Sequence, residues 1–115
     1  MDYSTAHRLA SEIRQSDEYL TYHALKEQVM ADETTAALIR EYRKLQVAIQ
    51  MCAISGASPE AEDMQRFQGI SALLFSKGEV SQFLLSEMRM QQMMADLFKI
   101  ITDAAGIDMN LPGLG

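Results

Sequence analysis

The stretch from Asp32 to Ser55, DETTAALIREYRKLQVAIQMCAIS, constrains the fold more than any other part of the chain. Leu38, Tyr42, Leu45, Ile49 and Cys52 recur at alternating steps of four and three. That spacing places all five on one face of a helix, and a seam so regular needs other helices laid along it. Asp32 supplies an N-cap and Glu33 an acid in the first turn, while Gly56 can take the left-handed position that ends the helix near Ser55.

The rest of the chain repeats this grammar. It is rich in Ala, Leu, Met, Gln and Glu, all good helix formers, and has only two prolines and six glycines. No alternating strand pattern reaches useful length. A first helix is predicted over roughly 5–14, with Ser4 as its cap and Ala6, Leu9, Ala10 and Ile13 on its apolar face. Ser16 opens a second helix over 17–30, with Tyr22, Leu25 and Val29 on one stripe. Ser58-Pro59-Glu60 restarts the chain after Gly56, with Pro59 at the first helical position of a fourth helix that carries Met64, Phe67, Ser71 and Leu74. Lys77-Gly78 reads as its cationic last turn and glycine stop. A fifth helix covers about 79–105, its seam formed by Phe83, Met90, Met94, Leu97 and Ile101, and Gly106 ends it. The expected fold is therefore all-α: a five-helix, bundle-like domain over residues 1–106, with two long helices (about 32–55 and 79–105) and short connections. Residues 107–115 are expected to form a flexible or loosely docked tail, with Leu111 and Leu114 as its apolar anchors.

Length and charge narrow the function. A chain of 115 residues makes one small helical domain with few core layers, so association is expected to supply part of its stability. The long helices, roughly 35–40 Å each, outrun their shorter neighbours and leave surface that a second copy would cover. A homodimer is the expected assembly. The net charge of −6 argues against general phosphate-backbone binding, DNA included. No apolar run is long enough to span a membrane, and Met1 to Ile13 carries charges throughout and lacks a signal-peptide core. The expected compartment is the cytoplasm.

The parts of an active site are missing. There is no phosphate-binding glycine loop and no Ser/His/Asp arrangement. Neither His7 nor His23 has a Glu three residues before it, the spacing a carboxylate di-metal bundle would show. Both read as surface or interface histidines. Cys52 lies on the seam and reads as a small buried hydrophobe. No catalytic, cofactor-binding or metal residues are assigned. Two features remain for binding. Met88, Met90, Met93 and Met94 crowd one stretch, suiting core, dimer seam or an adaptable groove for a partner helix. Arg40, Arg43 and Lys44 form the densest basic patch, either a solvated face or a contact for RNA or an acidic protein. The expected interface residues are Tyr42, Met88, Met90 and Met94, with Arg40, Arg43 and Lys44 as a polar rim.

The order and spacing of Leu9-Ala10, Ile13, Ser16, Glu18-Tyr19, Tyr22, Lys26, Asp32, Leu38-Ile39, Glu41-Tyr42 and Gln46 resemble those of the YlbF/YmcA-like family of small bacterial helical proteins. The resemblance covers nearly the whole chain and is most specific from Ala6 to Gln46. It implies a cytoplasmic all-α protein that dimerises through its long helices. It also implies a non-enzymatic regulatory role in sporulation, competence and biofilm development, in complex with a paralogue and a YaaT-like protein and linked to messenger-RNA processing by a ribonuclease. A self-associating structural protein without a dedicated partner, or an accessory factor beside a ribonuclease, are the alternatives. Complexes of that family are described as holding iron–sulfur clusters through cysteines. With Cys52 as its single cysteine, this chain is expected to hold no cluster. The family's tyrosines, here Tyr19, Tyr22 and Tyr42, read as rings that pack the first two helices onto the third.

Overall fold

The structure, a computed structural model, describes residues 1–107. The described residues form five α-helices and no strand: α1 (Ser4–Gln15), α2 (Asp17–Met30), α3 (Glu33–Ser55), α4 (Ala61–Phe75) and α5 (Gly78–Ala105). The predicted tail from 108 onward lies outside the described residues. The chain groups into two compact units. One is Met1–Lys26 with the described residues from Phe83 onward; the other is Glu27–Gln82.

In the unit of residues 27–82, α3 begins where its cap dictates. Asp32 Oδ1 accepts the Thr34 backbone N–H at 3.2 Å, and Asp32 Oδ2 accepts the Thr35 hydroxyl at 2.7 Å. Lys77 Nζ donates to the same Thr35 oxygen at 3.1 Å, tying the start of α3 to the corner before α5. Gly56 ends α3 with φ of 78°, a conformation that costs a glycine little. Inside, Ile39 is 0% exposed, and Val29, Ala36, Leu45, Leu74 and Val80 are buried with it. Tyr42 of α3 stacks on Phe67 of α4 with ring centroids 5.1 Å apart, and meets Phe75 edge-on at 6.4 Å. Glu41 accepts a hydrogen bond from Arg66 across the same pair of helices.

In the other unit the join between α1 and α2 is one residue long. Ser16 Oγ donates to the Ile13 carbonyl at 2.6 Å and accepts the Tyr19 N–H at 3.2 Å, closing one helix and opening the next. Tyr22 of α2 stacks on the buried Phe83 of α5 with ring centroids 5.6 Å apart, and Lys26 Nζ lies over the Tyr22 ring, 5.7 Å from its centroid. Leu84 and Ser86 are buried nearby in sequence, and the Ser86 hydroxyl is satisfied by the Phe83 carbonyl at 2.7 Å. Helix α1 has no buried residue; Leu9, Ala10 and Ile13 are half-covered.

Four local expectations change. Ser4 is the first residue of α1 rather than its cap: Asp2 Oδ1 accepts both the Ser4 N–H (3.0 Å) and its hydroxyl (2.6 Å), so the carboxylate does the capping from two residues upstream. Helix α4 starts at Ala61 and not at Pro59, because Glu60 stays extended with ψ of 139° and halts backward growth of the helix. Gly78 is no stop. Helix α4 ends at Phe75, the Lys77 carbonyl accepts the Ser81 N–H at 3.1 Å, and Gly78 opens α5 without a positive φ. The tyrosines also serve different helix pairs from those expected: Tyr22 joins α2 to α5 and Tyr42 joins α3 to α4.

The Thr35 hydroxyl, more than any other group, holds the Asp32 carboxyl below its ordinary pKa; desolvation opposes it, and the Thr34 N–H and the charge of Lys77 add lesser lowering effects. A carboxyl with a lowered folded pKa stabilises the fold above its unfolded pKa, near 4, and that contribution fades as pH falls through the folded value. Asp32→Ala is expected to lower the melting temperature at pH 7 by roughly 3–6 °C, with Asp32→Asn retaining most of the cap, and the Asp32→Ala deficit should narrow below about pH 4. Thermal unfolding across that pH range checks both. The two sides of α3 should separate as sharply: Ile39→Ala is expected to cost about 2–5 kcal/mol and Val47→Ala less than about 0.5 kcal/mol, read by denaturant unfolding.

Candidate functional site

Helix α3 carries apolar residues on two opposite sides. One side holds the predicted seam: Leu45 is buried, and Leu38, Tyr42, Ile49 and Cys52 are half-buried. Two residues on, the same four-and-three steps pick out Arg40, Lys44, Val47, Met51 and Ile54. At about 100° per residue, a two-residue shift turns this second stripe to the far side of the helix. There Val47 is 57% exposed, Met51 58% and Ile54 80%. Arg40, Arg43 and Lys44 surround Val47 in a shallow, almost wholly apolar hollow of about 460 Å³. Arg43 is half-buried. Arg40 and Lys44 are exposed, and among the described residues neither forms an ion pair. Arg66 and Lys99, by contrast, pair with Glu41 and Asp103.

The predicted basic rim is thus one cluster, and it borders three aliphatic side chains that sequence reasoning passed over. The signal was in reach. It is the first seam's spacing, read from Arg40 instead of Leu38. Tyr42 lies on the other side, its ring stacked within the fold.

Met88, Met90, Met93 and Met94 belong to the other unit. Met88 is 62% exposed and Met94 is partly exposed, while Met90 and Met93 are half-buried. Leu85, Ile100 and Ile101 add to the exposed aliphatic surface of α5. Ile101 also joins Thr5, Ala6, Arg8, Leu9 and Glu12 in lining an open hollow of about 470 Å³ along α1. A smaller polar cleft of about 80 Å³ lies among Asp17, Glu18, Thr21, Ser86 and Arg89.

Catalytic chemistry has little to build on in these surfaces. His7 and His23 are exposed, and the His23 ring rests against Tyr19 (4.2 Å) and Tyr22 (5.1 Å). Among the described residues no group of three or more His, Cys, Asp or Glu side chains is placed to hold a metal ion, and no helix is long and apolar enough to cross a membrane. The displaced carboxyl pKa values, those of Asp2 and Asp32, are lowered by the hydroxyls of Ser4 and Thr35 at helix starts. What the geometry offers is exposed aliphatic surface, with cations beside it on α3.

The family model described as Com_YlbF, control of competence regulator ComK, YlbF/YmcA, matches residues 3–105. The chain belongs to the YlbF/YmcA family. Among its relatives, a UPF0342 protein of Halothermothrix orenii is 34% identical over 99 residues, covering 86% of this chain and 84% of the relative. A UPF0342 protein of Bacillus velezensis is 32% identical over 99 residues, covering 86% and 85%. In three dimensions the chain is similar to a protein of unknown function (DUF964) from Bacillus stearothermophilus, with a TM-score of 0.71 at 20% identity, covering 90% of this chain and 91% of that one. That likeness shows a shared fold.

Proposed function

We propose that this YlbF/YmcA protein is a non-enzymatic regulatory interaction module of the cytoplasm that needs no cofactor. It pairs with a second copy through α5 and docks a partner protein on the outer side of α3. The observation that carries the reading is the stripe Val47, Met51 and Ile54, exposed beside Arg40 and Lys44. Large aliphatic groups aligned at helical spacing on an open face are the substrate of helix-in-groove recognition. The family description, control of a competence regulator, supports a role in which binding rather than turnover is the output. A paralogue, a YaaT-like protein or a ribonuclease-associated protein is the candidate partner.

Self-association draws on Leu85, Met88, Met94, Ile100 and Ile101 of α5, where flexible methionine can adapt to a facing copy. Met88→Glu with Ile101→Glu is expected to shift the protein from dimer to monomer in sedimentation velocity without loss of helicity; an unchanged dimer places the self-contact elsewhere. Partner docking is tested by affinity capture from native-type lysate at low and high salt. Wild type should recover a specific partner that Val47→Asp with Met51→Asp loses, while that variant still dimerises. Equal recovery by both proteins removes the outer side of α3 from the docking site.

A further inference from the structure

The cations on α3 occupy one end of the exposed stripe. Arg40 and Lys44 lie toward the helix N-terminus, and Val47, Met51 and Ile54 follow toward the C-terminus. The chain as a whole carries −6, so an acidic ligand is opposed over most of the surface and favoured here. Resting on the docking role of α3 proposed above, we infer that the occupant is an amphipathic partner helix with carboxylates in its first turn, followed by aliphatic residues at steps of four and three. It lies parallel to α3.

Each part of that description has a physical reason. The stripe from residue 40 to 54 is about 21 Å long at 1.5 Å per residue, which fits a partner segment of about four turns. Three aligned aliphatic residues call for an aliphatic counter-stripe, and the four-and-three spacing is that of helices packed at a shallow angle. The parallel direction follows from charge. Carboxylates are best tolerated in the first turn of a helix, where the dipole is positive, and only a parallel helix sets its first turn beside Arg40 and Lys44. An RNA strand would use the cations but gain nothing from Val47, Met51 and Ile54. Among its described residues, a second copy of this chain offers no such face. Its helices with two acids in the first turn, α2 and α4, commit Val29 and Leu74 of their apolar stripes to the interior.

The test uses the full-length protein and four labelled probes, with a fifth for the charge-reversed variant, in fluorescence anisotropy. The first is a designed 16-residue helical peptide with glutamates in its first turn and leucines at four-and-three spacing. The second has those glutamates replaced by glutamine, the third carries them in the last turn, and the fourth is a 16-nucleotide poly-U RNA. The first peptide is expected to bind about three- to tenfold more tightly than the second and third at low salt, with the gap closing as salt rises. Arg40→Glu with Lys44→Glu should abolish that preference and bind a first-turn lysine version of the peptide instead, which also shows that the variant is folded. Val47→Asp should weaken all the peptides alike. Equal binding of the glutamate and glutamine peptides overturns the acidic first turn. A preference for the third peptide overturns the parallel direction, and stronger binding of poly-U overturns the inference in favour of RNA. If no peptide binds while lysate capture still depends on Val47 and Met51, this occupant is wrong and the docking role of α3 stands.

Discussion

The contact on which the unit of residues 27–82 depends is the one Thr35 makes with two charged partners. Its hydroxyl donates to Asp32 and accepts from Lys77. The first bond fixes where α3 begins. The second reaches to the corner between α4 and α5, so it fixes how α3 is rotated about its own axis. Rotation matters more than usual here, because α3 is apolar on opposite sides. With Thr35 held inward, Ile39 is buried and Tyr42 meets Phe67, and Val47, Met51 and Ile54 must face out. The exposed stripe is therefore a product of core packing.

That arrangement explains a thrifty division of work along one helix. The inner side carries aromatic stacking and full burial, which stabilise the fold. The outer side spends aliphatic residues where they give no stability to the isolated chain. Large side chains kept exposed at helical spacing, next to Arg40 and Lys44, which form no ion pair among the described residues, are better accounted for by an external contact than by the fold.

Much of the architecture was legible because helix starts and stops are written in local chemistry. Ser16, Asp32, Gly56 and Gly106 each act within a few residues, and each does what its residue type suggests. The misreadings arose where two local signals competed. Pro59 is compatible with a first helical turn, but extended Glu60 delays the helix to Ala61. Gly78 follows a lysine, as a helix stop would, yet the break has already occurred at Ser76, whose hydroxyl donates to the Leu73 carbonyl at 2.7 Å. The candidate surface was legible only in part. Arg40, Arg43 and Lys44 fall within five residues of sequence and announce themselves. The choice between the stripe through Leu38 and the stripe through Arg40 is made by long-range contacts, which spacing does not contain. The methionines of α5 divide between half-buried Met90 and Met93 and exposed Met88 and Met94, a split that composition alone leaves open.

The one-residue join at Ser16 has a mechanical consequence. Helix α1 buries nothing fully, so packing alone would leave its direction weakly set. Its angle to α2 is set by the two hydrogen bonds of a single side chain instead, one to the turn behind and one to the turn ahead. The elbow has no spare chain to swing on. It should behave as a bracket: α1 is carried wherever α2 goes, and its half-covered face is presented at a constant angle even before anything binds to it.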